Sequence, residues 1–203
     1  FYQLARDSGR ELPIRALSEY GKAYRYRVNF RYDYEEFRFY QNYMDALFFA
    51  YRQRRLEASR DENLVGHLDQ IIEIAEQARQ IADHPEVRLA LARAHYNRML
   101  YYATGENPSR APENRARLDA SDRILAELLR GLVEEFRHPE VYRLAVLYYG
   151  REWQSLSGKP RRSSPEQIRL KELETLLRTL APLYRRYNKI DDPDVLDLLQ
   201  RLE

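Results

Sequence analysis

The chain has 203 residues, 44% of them hydrophobic and 33% charged, with 34 Lys and Arg against 32 Asp and Glu. That length and apolar content suit one globular domain or one array of small repeats and exclude wholesale disorder. Charged side chains interrupt every apolar run before it reaches the roughly 20 residues that cross a bilayer, so no membrane span is expected, and the lack of Cys excludes disulfides, thiolate zinc sites and a cysteine nucleophile.

In chain order, Ile14, Leu17, Tyr20, Tyr24 and Val28 recur at helical spacing and predict a helix over about 12–29. The stretch from Tyr24 to Tyr34 also alternates aromatic with polar residues, which is the period of a strand, so an extended strap or an edge strand open to a partner is the alternative. Over 35–52, Tyr40, Tyr43, Met44, Leu47, Phe48 and Tyr51 form one apolar stripe. A helix over about 62–82 follows, with Leu64, Leu68, Ile71, Ile72, Ala75 and Ala78. The next, 85–103, is apolar nearly all round, as suits a helix packed between neighbours. Helices over about 113–136, 139–156 and 165–187 carry the stripes Leu125, Leu128, Leu129 and Leu132; Val141, Leu144, Tyr148 and Trp153; and Leu173, Leu177, Leu180 and Tyr184. Pro182 is expected to kink or end the last of these. Val195, Leu198, Leu199 and Leu202 open a final helix with no following partner, which caps the array or docks on another copy.

One motif recurs at equal intervals: His84-Pro85-Glu86-Val87, His138-Pro139-Glu140-Val141 and Asp192-Pro193-Asp194-Val195, each 54 residues after the last. It combines a capping acceptor, Pro at the first helical position and an acid beside the positive helix end, so each copy reads as a helix start. Leu91-Ala92 with His95-Tyr96 then corresponds to Leu144-Ala145 with Tyr148-Tyr149, and Thr104-Gly105 to Ser157-Gly158, where both helices are expected to end on glycine. A second start, Ala111-Pro112-Glu113, matches Ser164-Pro165-Glu166. Each unit is a helical hairpin.

The pattern Leu91-Ala92-x-x-His95 and Leu144-Ala145-x-x-Tyr148, with Pro between units, resembles the first helix of the tetratricopeptide-repeat family, although the period here is near 54 rather than 34. The resemblance implies an all-α, right-handed superhelical array (an α-solenoid) of antiparallel helix pairs, and by analogy a protein-binding role. The expected organisation is an aromatic, Arg-rich N-terminal segment over 1–34, then an array over 35–203 with units near 35–84, 85–138 and 139–192 and a capping helix over 193–203.

Catalytic patterns are sparse. The histidines, His67, His84, His95 and His138, form no H-x-x-x-H or H-E-x-x-H pair, and Glu135-x-x-His138 reads as helix-cap chemistry beside Pro139. No glycine-rich phosphate loop or G-x-S-x-G elbow occurs, and His95 reads as a packed core histidine rather than a base. No enzyme, cofactor or metal is expected.

Composition points instead to contacts. Tyr occurs 17 times, and Arg outnumbers Lys 30 to 4. Tyrosines beyond what one core absorbs favour interfaces. The candidate protein-binding residues are Tyr24, Tyr26, Phe30, Tyr32, Tyr34, Tyr40, Tyr43, Phe48 and Tyr51 in the N-terminal third, Arg54, Arg55, Arg161 and Arg162 in loops within units, and Leu198 and Leu202 on the last helix. Basic loops within units (also Arg52, Arg60, Arg110, Arg115, Arg117 and Lys159) and acidic junctions between them (Asp83, Glu134, Glu135, Asp191, Asp192 and Asp194) predict a basic and an acidic edge, or simple complementation of helix ends. The expected function is a non-catalytic scaffold or a structural subunit of a larger assembly, for instance of a bacterial envelope or flagellum, whose partner is another protein or a second copy. Single-stranded nucleic acid bound by the Tyr/Arg-rich third is the alternative. A first residue other than Met is compatible with a processed, periplasmic protein.

Overall fold

The computed structural model describes residues 11–26, 32–56, 63–104, 112–189 and 192–202. All regular structure among them is helical: α1 (Glu11–Arg25), α2 (Asp33–Leu56), α3 (Asn63–Ile81), α4 (Pro85–Thr104), α5 (Pro112–Glu135), α6 (Pro139–Ser157), α7 (Ser164–Tyr187) and α8 (Pro193–Gln200). Of the alternating stretch from Tyr24 to Tyr34, Tyr24 and Arg25 end α1, Tyr26 is a turn, and Asp33 and Tyr34 open α2. Residues 27–31 lie outside the described residues.

The three motifs 54 residues apart all build the same helix start. His84 Nδ1 accepts from the Glu86 amide at 3.3 Å, His138 Nδ1 from Glu140 at 3.2 Å, and Asp192 Oδ1 from Asp194 at 3.0 Å. Each satisfies one of the amides that a helix N-terminus leaves without an internal partner. The fourth residue of each motif, Val87, Val141 or Val195, is fully buried, so the cap also pins the helix to its core. The matching positions Leu91, Ala92, His95 and Tyr96 in α4 and Leu144, Ala145, Tyr148 and Tyr149 in α6 are likewise all buried.

α6 ends on glycine as expected, at Gly158, but with φ −72°, ordinary right-handed helical geometry, so its lack of a side chain is not what ends the helix; Gly105 lies outside the described residues. The carbonyls of Leu156 and Ser157 are taken instead by Arg162, whose Nε donates to Leu156 at 2.6 Å and whose Nη2 donates to Ser157. Pro182 neither ends α7 nor sets its boundary; the helix runs on to Tyr187, because Leu177 and Leu180 before the proline and Tyr184 after it are held in one buried stripe.

The chain divides into two compact units, Phe1–Leu125 and Ala126–Glu203. The division falls within α5, whereas the expected unit boundaries near 84, 138 and 192 fall at turns between helices. In the first unit α1 packs on α2, α2 on α3 and α3 on α4. Its core joins Tyr40, Tyr43, Leu47 and Phe48 of α2, Leu68, Ile71 and Ile74 of α3, and Val87, Leu91 and Ala94 of α4. Arg98 ties α4 to its neighbours, donating to Asp69 of α3 at 2.8 Å and to the buried Ser121 hydroxyl of α5 at 2.9 Å. In the second unit α6 packs on α7 and α8. Trp153 donates to Glu174 at 3.3 Å, Arg169 grips both carboxylate oxygens of Glu152 at 2.8 Å, and Asn188 reaches the Pro139 carbonyl at 3.1 Å. A fork-shaped guanidinium on one carboxylate fixes angle as well as distance, a use that suits Arg over Lys.

Candidate interaction surfaces

The tyrosines of the first unit separate into two groups. Tyr20 of α1 stacks on Tyr43 of α2 at 5.7 Å, Tyr24 lies edge-on to Tyr40 at 6.3 Å, and Phe39 is within 5.8 Å of Tyr20, Tyr40 and Tyr43. Four tyrosine hydroxyls are satisfied inside the unit. Tyr43 accepts from Gln70 at 2.7 Å, Tyr24 donates to Glu73 at 2.7 Å, Tyr40 donates to Glu36, and Tyr51 donates to Asn97 at 3.3 Å. Arg93 covers the Phe48 ring at 4.3 Å. Tyr40, Tyr43, Phe48 and Tyr51 are thus buried core residues and present no face to a partner, which corrects their expected place in an interface. A tyrosine ring buries as much apolar surface as other aromatics wherever its hydroxyl finds an acceptor or donor, and this core provides one each time.

The second group stays in water. Tyr26 is 68% exposed, Tyr32 56% and Tyr34 64%. They stand at the end of α1 and the start of α2, and the chain joining Tyr26 to Tyr32 spans no more than about 22 Å. Arg38 lies over the Tyr34 ring at 5.9 Å and donates to its hydroxyl at 3.4 Å. Phe30 and the side chains of Arg54 and Arg55 lie outside the described residues.

Leu198 and Leu202 are not exposed either, at 3% and 8%. Leu198 lies against Gly150 of α6, and the Leu202 carbonyl accepts from Arg178 at 2.9 Å. The expected free stripe on the last helix is therefore part of the second unit's own core. Arg162 is spent on the end of α6, while Arg161 is exposed. Among the acidic junction residues, Asp83 meets Arg79 at 3.2 Å and Arg88 at 3.7 Å, and Asp192 meets Arg143 at 2.5 Å. These carboxylates complement nearby arginines and helix starts, so they add little to an acidic edge. Arg60, Arg110 and Asp191 lie outside the described residues.

The sequence reading singled out His95 but missed the cluster around it. The ring is 1% exposed, its Nδ1 lies 3.5 Å from Arg98, and its Nε2 has no hydrogen-bond partner. Burial first, and the Arg98 charge second, bring its pKa down to about 4. A neutral, enclosed imidazole 3.5 Å from a guanidinium is placed to pack rather than to take protons from a substrate. A polar residue on an otherwise apolar stripe, shared by His95 and Ser121, was the signal available in advance.

Two of the grooves among the described residues are lined mainly by apolar side chains, and the sequence showed neither. One, of about 340 Å³, is lined by Ala16, Glu19, Tyr20 and Ala23 of α1 with Phe39 of α2. The other, of about 230 Å³, lies between α7 and α8, with Leu177, Pro182, Leu199 and Leu202 beside Arg178 and Arg185. No helix among the described residues is long and apolar enough to cross a membrane. No family model matches the chain, and neither a curated protein nor a solved structure matches it.

Proposed function

We propose that the chain is a non-catalytic scaffold that binds a protein partner, built as a tetratricopeptide-like α-solenoid of antiparallel helix pairs. The pairing is supported by the register of contacts inside each unit. Between α4 and α5, Arg98 meets Ser121 and Tyr102 meets Arg117, so one number rises as the other falls, as in antiparallel neighbours. The same holds between α6 and α7, where Pro139 meets Asn188 and Glu152 meets Arg169. Between α2 and α4, Gln41 meets Glu86 across 45 residues and Tyr51 meets Asn97 across 46. A near-constant separation marks parallel neighbours two helices apart, as in a stack of hairpins.

The binding role rests on one observation, the exposure of Tyr26, Tyr32 and Tyr34 at a single end of the α1–α2 pair. Three large rings left in water by a unit that buries Tyr40, Tyr43, Tyr51, Tyr96 and Tyr102 mark a contact surface, since aromatic anchors dominate interface energetics. Replacing Tyr26, Tyr32 and Tyr34 together with Ser should weaken capture of a protein partner from the native source by tenfold or more and leave the helical circular dichroism spectrum unchanged. Unchanged capture rejects the reading. So does recovery of RNA or DNA in place of protein with strongly salt-dependent retention.

A further inference from the structure

Another cleft of the first unit, of about 360 Å³, lies between the start of α2 and the end of α3 and is lined by Glu36, Tyr40, Gln77, Gln80 and Ile81. Unlike the two apolar grooves, it offers hydrogen-bond acceptors. Glu36 Oε1 accepts from the Tyr40 hydroxyl, and among the described residues no donor bonds its Oε2. The basic side chain of α3 nearest in sequence, Arg79, is held elsewhere, by Glu76 at 3.4 Å and by Asp83 at 3.2 Å.

Gln77 adds an acceptor with no donor. Its Oε1 is buried and accepts no hydrogen bond, a cost that a donor arriving through the cleft removes. Its Nε2 donates to Glu73 at 3.5 Å, the long limit of such a bond, and the same carboxylate oxygen already accepts from Tyr24 at 2.7 Å. The amide is thus weakly held, and because the terminal torsion of glutamine is broad, its oxygen turns toward an occupant at little cost. Ile81 adds apolar surface to the lining, and Gln80 adds a second, exposed amide.

We propose that this cleft binds a primary alkylammonium ion, the group carried by a lysine side chain or by a free aliphatic amine. An ammonium has three donors and no acceptor, which matches Glu36 Oε2, Gln77 Oε1 and the side-chain carbonyl of Gln80, while its alkyl stem lies along Ile81. A guanidinium fits less well, because its fork grips both oxygens of a carboxylate and Tyr40 already holds one of them. A divalent metal finds too few ligands: Ca²⁺ and Mg²⁺ take about six oxygens or more, and among the described residues no group of three or more His, Cys, Asp or Glu is placed to hold an ion. The site stands on its own lining and does not depend on the exposed tyrosines.

The test is a titration of the full chain with n-butylammonium at neutral pH, followed through the backbone amide chemical shifts. The shifts should centre on Glu36, Tyr40, Gln77, Gln80 and Ile81, with a dissociation constant on the order of 1 mM for so small a ligand. Glu36→Gln keeps an acceptor for Tyr40 but removes the charge and should weaken binding at least tenfold. Gln77→Leu should weaken it at least threefold, and both variants are checked for unchanged helical content. The uncharged n-butanol should leave these amides unmoved, and n-butylguanidinium should bind several-fold more weakly. A blocked lysine, Nα-acetyl-lysine methylamide, that moves the same amides assigns a protein side chain as the source, whereas movement by n-butylammonium alone assigns a free amine. No shift at about 50 mM amine overturns the proposal. So does unchanged affinity in either variant, or n-butanol or n-butylguanidinium binding as tightly as the ammonium.

Discussion

Gly150 of α6 is the seat of Leu198 of α8: a β-carbon placed on the glycine would meet Leu198 Cδ2 at 2.7 Å and Cγ at 2.8 Å, with Cδ1 nearer still. Leu198 is 3% exposed, so it has no free space to swing into. Leu198 on the missing side chain of Gly150 is thus one of the contacts that hold the short α8, beside the buried Val195 and Leu199. Gly150→Ala should destabilise the second unit by about 1–3 kcal/mol through overpacking, and Leu198→Ala by about 2–5 kcal/mol through the cavity it leaves. In the double variant the new methyl partly fills that cavity, so its cost should fall below the sum of the two. Denaturant melts of the three variants measure this, and strict additivity would show that the two side chains do not compete for one space.

His95 makes the first unit sensitive to mild acid. An unfolded histidine takes up a proton near pH 6.5, whereas burial and Arg98 hold the folded one neutral down to about 4. The unfolded state therefore binds more protons between these values, and stability falls as pH drops through that window and then levels off below it. A shift of this size is worth on the order of 3 kcal/mol. His95→Phe should flatten the slope of stability against pH between about 6.5 and 4, measured by urea melts at several pH values. An unchanged slope would assign the acid sensitivity to other groups.

The repeated helix starts give a prediction by substitution between repeats. His138→Ala removes the acceptor for the Glu140 amide and should cost about 1 kcal/mol. His138→Asp should hold or raise stability, because Asp192 makes the same bond at the third copy of the motif. Thermal unfolding of the two variants separates them, and equal loss in both would mean that the ring's packing against Phe136, 5.2 Å away, matters more than the cap.

Glu166 closes the start of α7, accepting from Lys159 at 2.5 Å and from the Ser163 amide at 2.8 Å and hydroxyl at 2.9 Å. The Lys159 bond first, and the Ser163 bonds after it, hold its carboxyl down at about pH 2. The stabilisation is present above the ordinary glutamate range and is lost as pH falls toward 2. Amide exchange at the first turn of α7 should therefore speed up between about pH 4.5 and 2 in the parent chain. Glu166→Gln should exchange at the same faster rate across that window after correction for intrinsic rates.

The helix starts and apolar stripes were legible in the sequence because their causes are local. A cap such as His84 or Asp192 acts on an amide two residues away, and the 3.6-residue period needs only neighbours along the same helix. That is why the motif at 84, 138 and 192 and the stripe from Tyr40 to Tyr51 correspond to observed helix starts and an observed core. The fates of individual side chains depend instead on residues far along the chain. Tyr51 is buried where Asn97 meets its hydroxyl, while Tyr34, equally aromatic and on the same helix, lies in solvent. Leu198 read as a free apolar stripe because nothing near it in sequence reveals that Gly150 leaves room for it. Local chemistry alone determined where helices begin and which faces are apolar; only the packing of distant segments decided which of those faces are covered, because burial is a property of the residues that meet and not of the pattern that brings them there.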